Sequence, residues 1–472
     1  MKKYSALKEI QALISQKQLT LPDLLAYYFK QISDNEHLNA FNEVFFYSAE
    51  VQAKAVQEKI IQGTAGKLAG MVIGIKDNIC YQDHIVTASS KMLDGFVSPY
   101  SSTVVKRLLQ EDAVIIGRLN CDEFAMGGAN ETSHFGPVKN AANPELVPGG
   151  SSGGSAVAVQ ADMCLATLGT DTGGSVRQPA AFCGQIGLKP TYGRVSRYGV
   201  IAYASSFDQV GPITSSVEDA ALLLQVLAGA DENDSTVSDV AVPDYSAQLN
   251  EQKKQRIAVL KETIESDALD PEIKSAILKS IDDLKEKGHQ VDYVSFDLLE
   301  YLVPTYYILT TAEASSNLSR YDGVHYGHRN TDAKSLTELY KKSRAEGFGE
   351  EVKKRILLGT FVLSAGYYDA YYQKAQQVRR LIREKMDHLF QNYDLLLSPV
   401  APTAAFKIGD NVQDALVMYM ADIFTVLPSL SGNPAIALPL GNNEAGLPLS
   451  IQFTAKHFEE DKLLAFSQAF LK

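Results

Sequence analysis

The sequence predicts an α/β protein in which a single large mixed β-sheet is covered by helices. Three observations carry that prediction. Short apolar runs separated by Gly, Asn and Asp recur from Leu68 onward, helix-period stretches lie between them, and strand-like runs return near the C-terminus after one long helical block. Because strands flank that block on both sides, one domain over 1–472 is expected rather than a tandem pair, with an N-terminal helical region at 1–65 and a helical insertion at about 298–390. A chain of 472 residues that is 45% hydrophobic has material for a large core.

The elements follow in order. Residues 5–15, 21–32 and 48–62 carry apolar stripes at helical spacing, with Thr20 placed as an N-cap. Runs 71–75 and 114–117 read as strands, with a helix over 101–111 between them. Residues 156–160 suit a short helix, and 163–168 and 186–188 read as further buried strands. A strand at 256–260, a helix at 271–287 and a strand at 290–294 continue the same sheet. The stretch 298–390 is helical in pattern and rich in tyrosine and charge, 367–390 being its longest periodic run. Strands at 395–398, 435–438 and 449–453 complete the sheet, with Pro and Gly marking the turns.

Composition narrows the function classes. A formal net charge of −12 argues against a polyanion as the main contact of this chain, since such binding is dominated by phosphate neutralisation. Cys80, Cys121, Cys164 and Cys183 show no C-x-x-C spacing and read as buried free thiols of a reducing compartment, with no metal site expected. No stretch approaches the roughly 20 apolar residues that a membrane span needs, and the helical start has no apolar signal-peptide core. The expectation is a cytoplasmic protein with no membrane contact.

Two serine-bearing glycine loops stand close together: Gly149-Gly150-Ser151-Ser152-Gly153-Gly154-Ser155 and Thr170-Asp171-Thr172-Gly173-Gly174-Ser175. An apolar helix and strand separate them, which a flexible Gly/Ser linker does not have. Ser175 could be a nucleophile, with the backbone N–H groups of Thr172, Gly173, Gly174 and Ser175 converging on an oxyanion, or it could simply cap a helix. A nucleophilic serine needs a base, and the eight histidines, including the His325-x-x-His328 pair, occupy no recognisable place for one. Lys76 ends an apolar run, where burial would favour a neutral amine; at an unperturbed pKa only about 0.04% of a lysine is neutral at pH 7. Taken alone, it also reads as a solvated lysine after a strand.

In combination, Gly74-Ile75-Lys76-Asp77, Pro148-Gly149-Gly150-Ser151-Ser152-Gly153-Gly154-Ser155-Ala156 and Gly169-Thr170-Asp171-Thr172-Gly173-Gly174-Ser175-Val176-Arg177-Gln178-Pro179-Ala180 resemble the amidase signature family. The resemblance implies a Ser-Ser-Lys triad in which Ser175 attacks the amide carbon, Ser151 relays the proton and neutral Lys76 is the base. It also implies a cis peptide bond before Ser151. On these motifs alone, a stand-alone amidase acting on a small-molecule amide fits equally.

Longer runs resemble one branch of the family, the A subunits of bacterial glutamyl-tRNA(Gln) amidotransferases. They include Lys189-Pro190-Thr191-Tyr192-Gly193-Arg194, Ala204-Ser205-Ser206-Phe207-Asp208-Gln209, Ala312-Glu313-Ala314-Ser315-Ser316-Asn317 and Arg320-Tyr321-Asp322-Gly323. That branch implies glutamine hydrolysis through an acyl-enzyme, with ammonia passed on to amidate Glu-tRNA(Gln). It implies glutamine-binding roles for Tyr306, Arg355 and Asp422, in keeping with a guanidinium for the α-carboxylate and a carboxylate for the α-ammonium. It further implies no cofactor on this chain, ATP and Mg being used by the assembled complex. The implied partners are B and C subunits in a heterotrimer, with Glu-tRNA(Gln) held mainly by the B subunit.

Overall fold

Eleven strands join one mixed sheet in the computed structural model, which describes residues 4–251, 253–410 and 422–472. They are β1 (Phe41–Val44), β2 (Val72–Lys76), β3 (Val114–Leu119), β4 (Ala166–Asp171), β5 (Ile186–Lys189), β6 (Gln209–Thr214), β7 (Arg256–Leu260), β8 (Gln290–Val294), β9 (Leu395–Pro399), β10 (Ala435–Asn442) and β11 (Pro448–Ala455). The spatial order is β1-β3-β2-β4-β6-β5-β10-β11-β9-β7-β8. β2 runs parallel to β3 and β4, and β7 runs parallel to β8 and β9; the remaining pairs are antiparallel. The central strands β2, β3, β4, β6 and β9 are buried at every residue, because helices cover both faces.

The helical expectations hold with small shifts. At the N-terminus lie Leu7–Ser15, Leu21–Asp34 and Phe46–Gln62, and the Thr20 side chain accepts the Asp23 N–H at 3.2 Å. Leu302–Asn317, Leu336–Gly347, Glu350–Val362 and Lys374–Leu389 fill the helical block between β8 and β9. The run expected as one helix over 367–390 divides. Tyr368–Gln373 forms a π-helical turn before Lys374–Leu389, and Tyr367 and Tyr371 both pack against Phe361, with ring centroids 4.2 and 6.0 Å away.

Three strand readings need correction. β1 interrupts the N-terminal region read as helical; its four residues are too few to show a period. β6 was hidden by Gly211-Pro212, which reads as a turn. The proline is tolerated because β5 pairs only with Ile213 and Thr214, so Pro212 stands beyond that ladder, opposite Leu168 of β4. β4 begins three residues later than expected and runs on through Gly169, Thr170 and Asp171. Those two polar residues are buried, and buried partners meet them: Lys76 and Asn78 at Thr170, Arg177 at Asp171.

All four cysteines are buried, and none is joined in a disulfide among the described residues. Among the described residues no helix is long and apolar enough to cross a membrane.

Candidate active site

The parallel ladder of β2 and β4 sets the site. Ile75 pairs with Leu168, so Lys76, the last residue of β2, emerges beside Gly169 and Thr170. Its side chain is wholly buried. Nζ lies 2.7 Å from Ser151 Oγ, 2.9 Å from Ser152 Oγ and 3.0 Å from Thr170 Oγ1. Burial pulls the Lys76 amine below its ordinary value, against the opposing influence of Cys121, Asp122, Asp208 and Asp171.

Ser151 is presented by a folded loop held from several sides. The Gly150–Ser151 peptide bond is cis, as the family resemblance implies. The Gly150 N–H donates to Gln178 Oε1 at 2.9 Å, and the Ser151 carbonyl accepts the Asp122 N–H at 3.1 Å. The Ser152 N–H donates to the Ser175 carbonyl at 3.1 Å, which ties the two serine loops together. Ser151 is fully buried, whereas Ser175 keeps 8% of its surface open, so Ser175 is the more exposed of the two serines.

Asp171 organises the second loop. Its carboxylate accepts the N–H of Gly174 at 2.9 Å and that of Val176 at 3.2 Å, and it pairs with the buried Arg177 guanidinium. Arg177 is anchored in turn by Gln452 Oε1 at 2.6 Å and Ser429 Oγ at 3.1 Å. Burial alone would raise the Asp171 carboxyl; Arg177 and the amide donors more than reverse it, holding the group below its ordinary value. Gly174 supplies the positive φ of +135° that the loop requires. Its N–H is spent on Asp171, which removes it from the four donors anticipated for an oxyanion. The N–H groups of Thr172, Gly173 and Ser175 make no hydrogen bond among the described residues.

Arg355 and Asp422 line one cavity of about 290 Å³, together with Tyr307, Glu351, Asp122 and Glu123. The Tyr307 hydroxyl donates to Asp422 Oδ2 at 2.8 Å, and burial pushes the Asp422 carboxyl up to about 6. Tyr306, the residue singled out in the sequence, is absent from that lining: a Cβ on Gly173 would lie 2.4 Å from its hydroxyl, so it packs on the Thr170–Ser175 loop. Thr425 bridges the two regions, its hydroxyl donating to the Gly173 carbonyl at 2.5 Å and its N–H to the Asp422 carbonyl at 3.0 Å. Lysine, both serine loops, Tyr306, Arg355 and Asp422 are thus brought to one region of the molecule.

The Amidase family model matches residues 23–464. The chain belongs to the amidase family. Within the family it is 48% identical over 459 residues to the glutamyl-tRNA(Gln) amidotransferase A subunit of Koribacter versatilis, covering 97% of this chain and 95% of that one. The crystal structure of the glutamyl-tRNA(Gln) amidotransferase A subunit from Thermotoga maritima superimposes with a TM-score of 0.80 at 37% identity, covering 98% and 93% of the two chains. The native peptide amidase of Stenotrophomonas maltophilia gives 0.84 at 28% identity, covering 99% and 96%.

In this amidase several contacts escaped the sequence reading. Ser152 and Thr170 also touch the lysine, at 2.9 and 3.0 Å against 2.7 Å for Ser151, and the doubled serine of Ser151-Ser152 was the only signal. Tyr203, Tyr307, Glu351 and Thr425 left no local trace, because each acts on a residue of another turn or another segment. His325 and His328 are engaged by Asp322 and Glu346, and among the described residues no group of His, Cys, Asp and Glu is placed to hold a metal.

Proposed function

We propose that this chain hydrolyses glutamine as the ammonia-producing subunit of a cytoplasmic glutamyl-tRNA(Gln) amidotransferase, with Ser175, Ser151 and Lys76 as its catalytic set. The observation that carries the reading is a buried lysine amine against Ser151, next to a cavity that offers a guanidinium and a carboxylate. A neutral amine has two N–H donors and one lone pair. With Ser152 and Thr170 accepting the two donors, the lone pair is aimed at the Ser151 hydroxyl.

Arg355 receives the α-carboxylate of glutamine and Asp422 its α-ammonium, with Tyr306 against the reacting loop. Ser175 Oγ bonds to the amide carbon while its proton passes to Ser151 and that of Ser151 to Lys76. The carbonyl electron pair moves onto oxygen, where the N–H groups of Thr172, Gly173 and Ser175 stabilise it. Collapse breaks the C–N bond, and the proton returns from Lys76 through Ser151 to the nitrogen. Ammonia leaves, and a γ-glutamyl ester remains on Ser175. Water then cleaves that ester by the same relay, releasing glutamate and restoring the serine.

Ammonia passes to a partner B subunit, which with a C subunit completes a heterotrimer. ATP and Mg are used there, and Glu-tRNA(Gln) is held mainly by B, in keeping with the charge of −12 on this chain. The test is co-purification followed by a Glu-tRNA transamidation assay with glutamine and ATP. Ser175→Ala is expected to abolish glutamine-dependent product while free ammonium still supports it. Vigorous glutamine turnover indifferent to Glu-tRNA and to partners would instead favour a stand-alone amidase.

A further inference from the structure

Arg355 has several N–H donors on a rigid fork, and the structure accounts for two of them. Nε donates to Glu351 Oε1 at 2.8 Å, and Nη1 donates to the Tyr203 hydroxyl at 2.9 Å. Nη2 makes no hydrogen bond among the described residues. Glu351 stands one turn earlier on the helix Glu350–Val362, and Tyr203 comes from a separate, buried segment before β6. Two bonds from different segments to different nitrogens of a planar group fix its position and its rotation together. The rings of Tyr203 and Tyr307 flank the guanidinium, with centroids 5.4 and 5.7 Å from its central carbon. Glu351 also gives the buried cation a counter-charge when the cavity holds no substrate.

We infer that Glu351 is a positioning residue that sets substrate selectivity. By fixing Nε, it leaves the Nη2 edge of Arg355 as the donor for a carboxylate, so that amides bearing an α-carboxylate are preferred over amides lacking one. The cost of ordering a long, rotamer-rich side chain is met before substrate arrives. This inference rests on the reading of glutamine as substrate. It differs from an ordinary helix ion pair, which would support the helix and affect every substrate alike.

Ammonia release by the assembled enzyme tests it with two amides: glutamine, and 4-aminobutanamide, which is glutamine without its α-carboxylate. Glu351→Ala is expected to raise the KM for glutamine about tenfold with kcat within about twofold, and to leave kcat/KM for 4-aminobutanamide unchanged. Glu351→Gln, whose amide oxygen still accepts from Nε, should recover most of the loss. Tyr203→Phe removes the second tether and should shift the same ratio. A parallel fall for both amides, or an unmoved KM for glutamine, overturns the inference while leaving the substrate reading intact. Failure of the parent enzyme to hydrolyse glutamine overturns that earlier reading, and this inference with it.

Discussion

Asp171 and Arg177 form a fully buried ion pair, with Arg177 Nη2 2.9 Å from Asp171 Oδ1, and that same carboxylate oxygen receives the Gly174 N–H at 2.9 Å. One side chain therefore both neutralises a buried cation and sets the backbone that precedes Ser175. Asp171→Asn would strand the Arg177 charge in the interior. A loss of about 3–5 kcal/mol of stability is expected, together with loss of glutamine turnover. Chemical denaturation and ammonia release on the same preparation check it; unchanged stability would show that Arg177 finds another counter-charge.

The Lys76 amine has to be neutral to accept a proton. Because burial lowers it, the neutral fraction grows as pH rises through a value below the ordinary lysine range, and kcat should fall as pH drops beneath that value. Lys76→Ala should abolish turnover, and Lys76→Arg should not restore it, since a guanidinium stays protonated. A kcat–pH profile and the two variants decide the matter. Appreciable turnover by Lys76→Arg would remove the lysine from the role of base.

Asp422 predicts a different pH limb, seen in KM rather than in kcat. Its carboxyl, pushed up to about 6 by burial, loses its charge as pH falls through that value, and the hold on an α-ammonium goes with it. The KM for glutamine should therefore rise on acidification through pH of about 6, the value at which Asp422 titrates. Asp422→Asn should raise KM at neutral pH and flatten the limb. A limb that survives in Asp422→Asn would assign it to another group.

Arg355 and Ser175 should separate binding from chemistry. Arg355→Ala removes a charge-assisted contact to the substrate carboxylate, and the KM for glutamine should rise on the order of 100-fold with kcat reduced far less. Ser175→Ala should eliminate turnover altogether. An electrophilic glutamine analogue should label Ser175 in the parent protein, as intact-mass and peptide analysis would show; a label on any other residue would count against the acyl-enzyme.

What could be read from the sequence divides along the range of the interactions. Lys76 and the two serine loops were legible because an apolar run and a cluster of glycines mark them locally. Nine of the eleven strands were legible for the same reason. β6 was not, because Gly211 and Pro212 argue for a turn until the short reach of β5 is known. The full extent of β4 was missed because Thr170 and Asp171 are buried polar residues, tolerable only beside partners that come from β2 and from the helix after the loop. The substrate side was legible only by resemblance. That Tyr307 rather than Tyr306 carries the hydrogen bond to Asp422 depends on how one helix turns toward a residue 115 positions away.

The lysine and the two serine loops belong to the first 175 residues and to the ends of β2 and β4, whereas Arg355 and Tyr307 come from helices inserted between β8 and β9. The two contributions are built on separate stretches of chain, and they meet where Tyr306 of the inserted helices packs on Gly173. Rewriting the inserted helices at Arg355 and Tyr307 would therefore change the cavity lining while leaving the residues of β2, β4 and the serine loops as they are, provided Tyr306 keeps its place on Gly173. The architecture is one in which a single reaction can be leased to many amides.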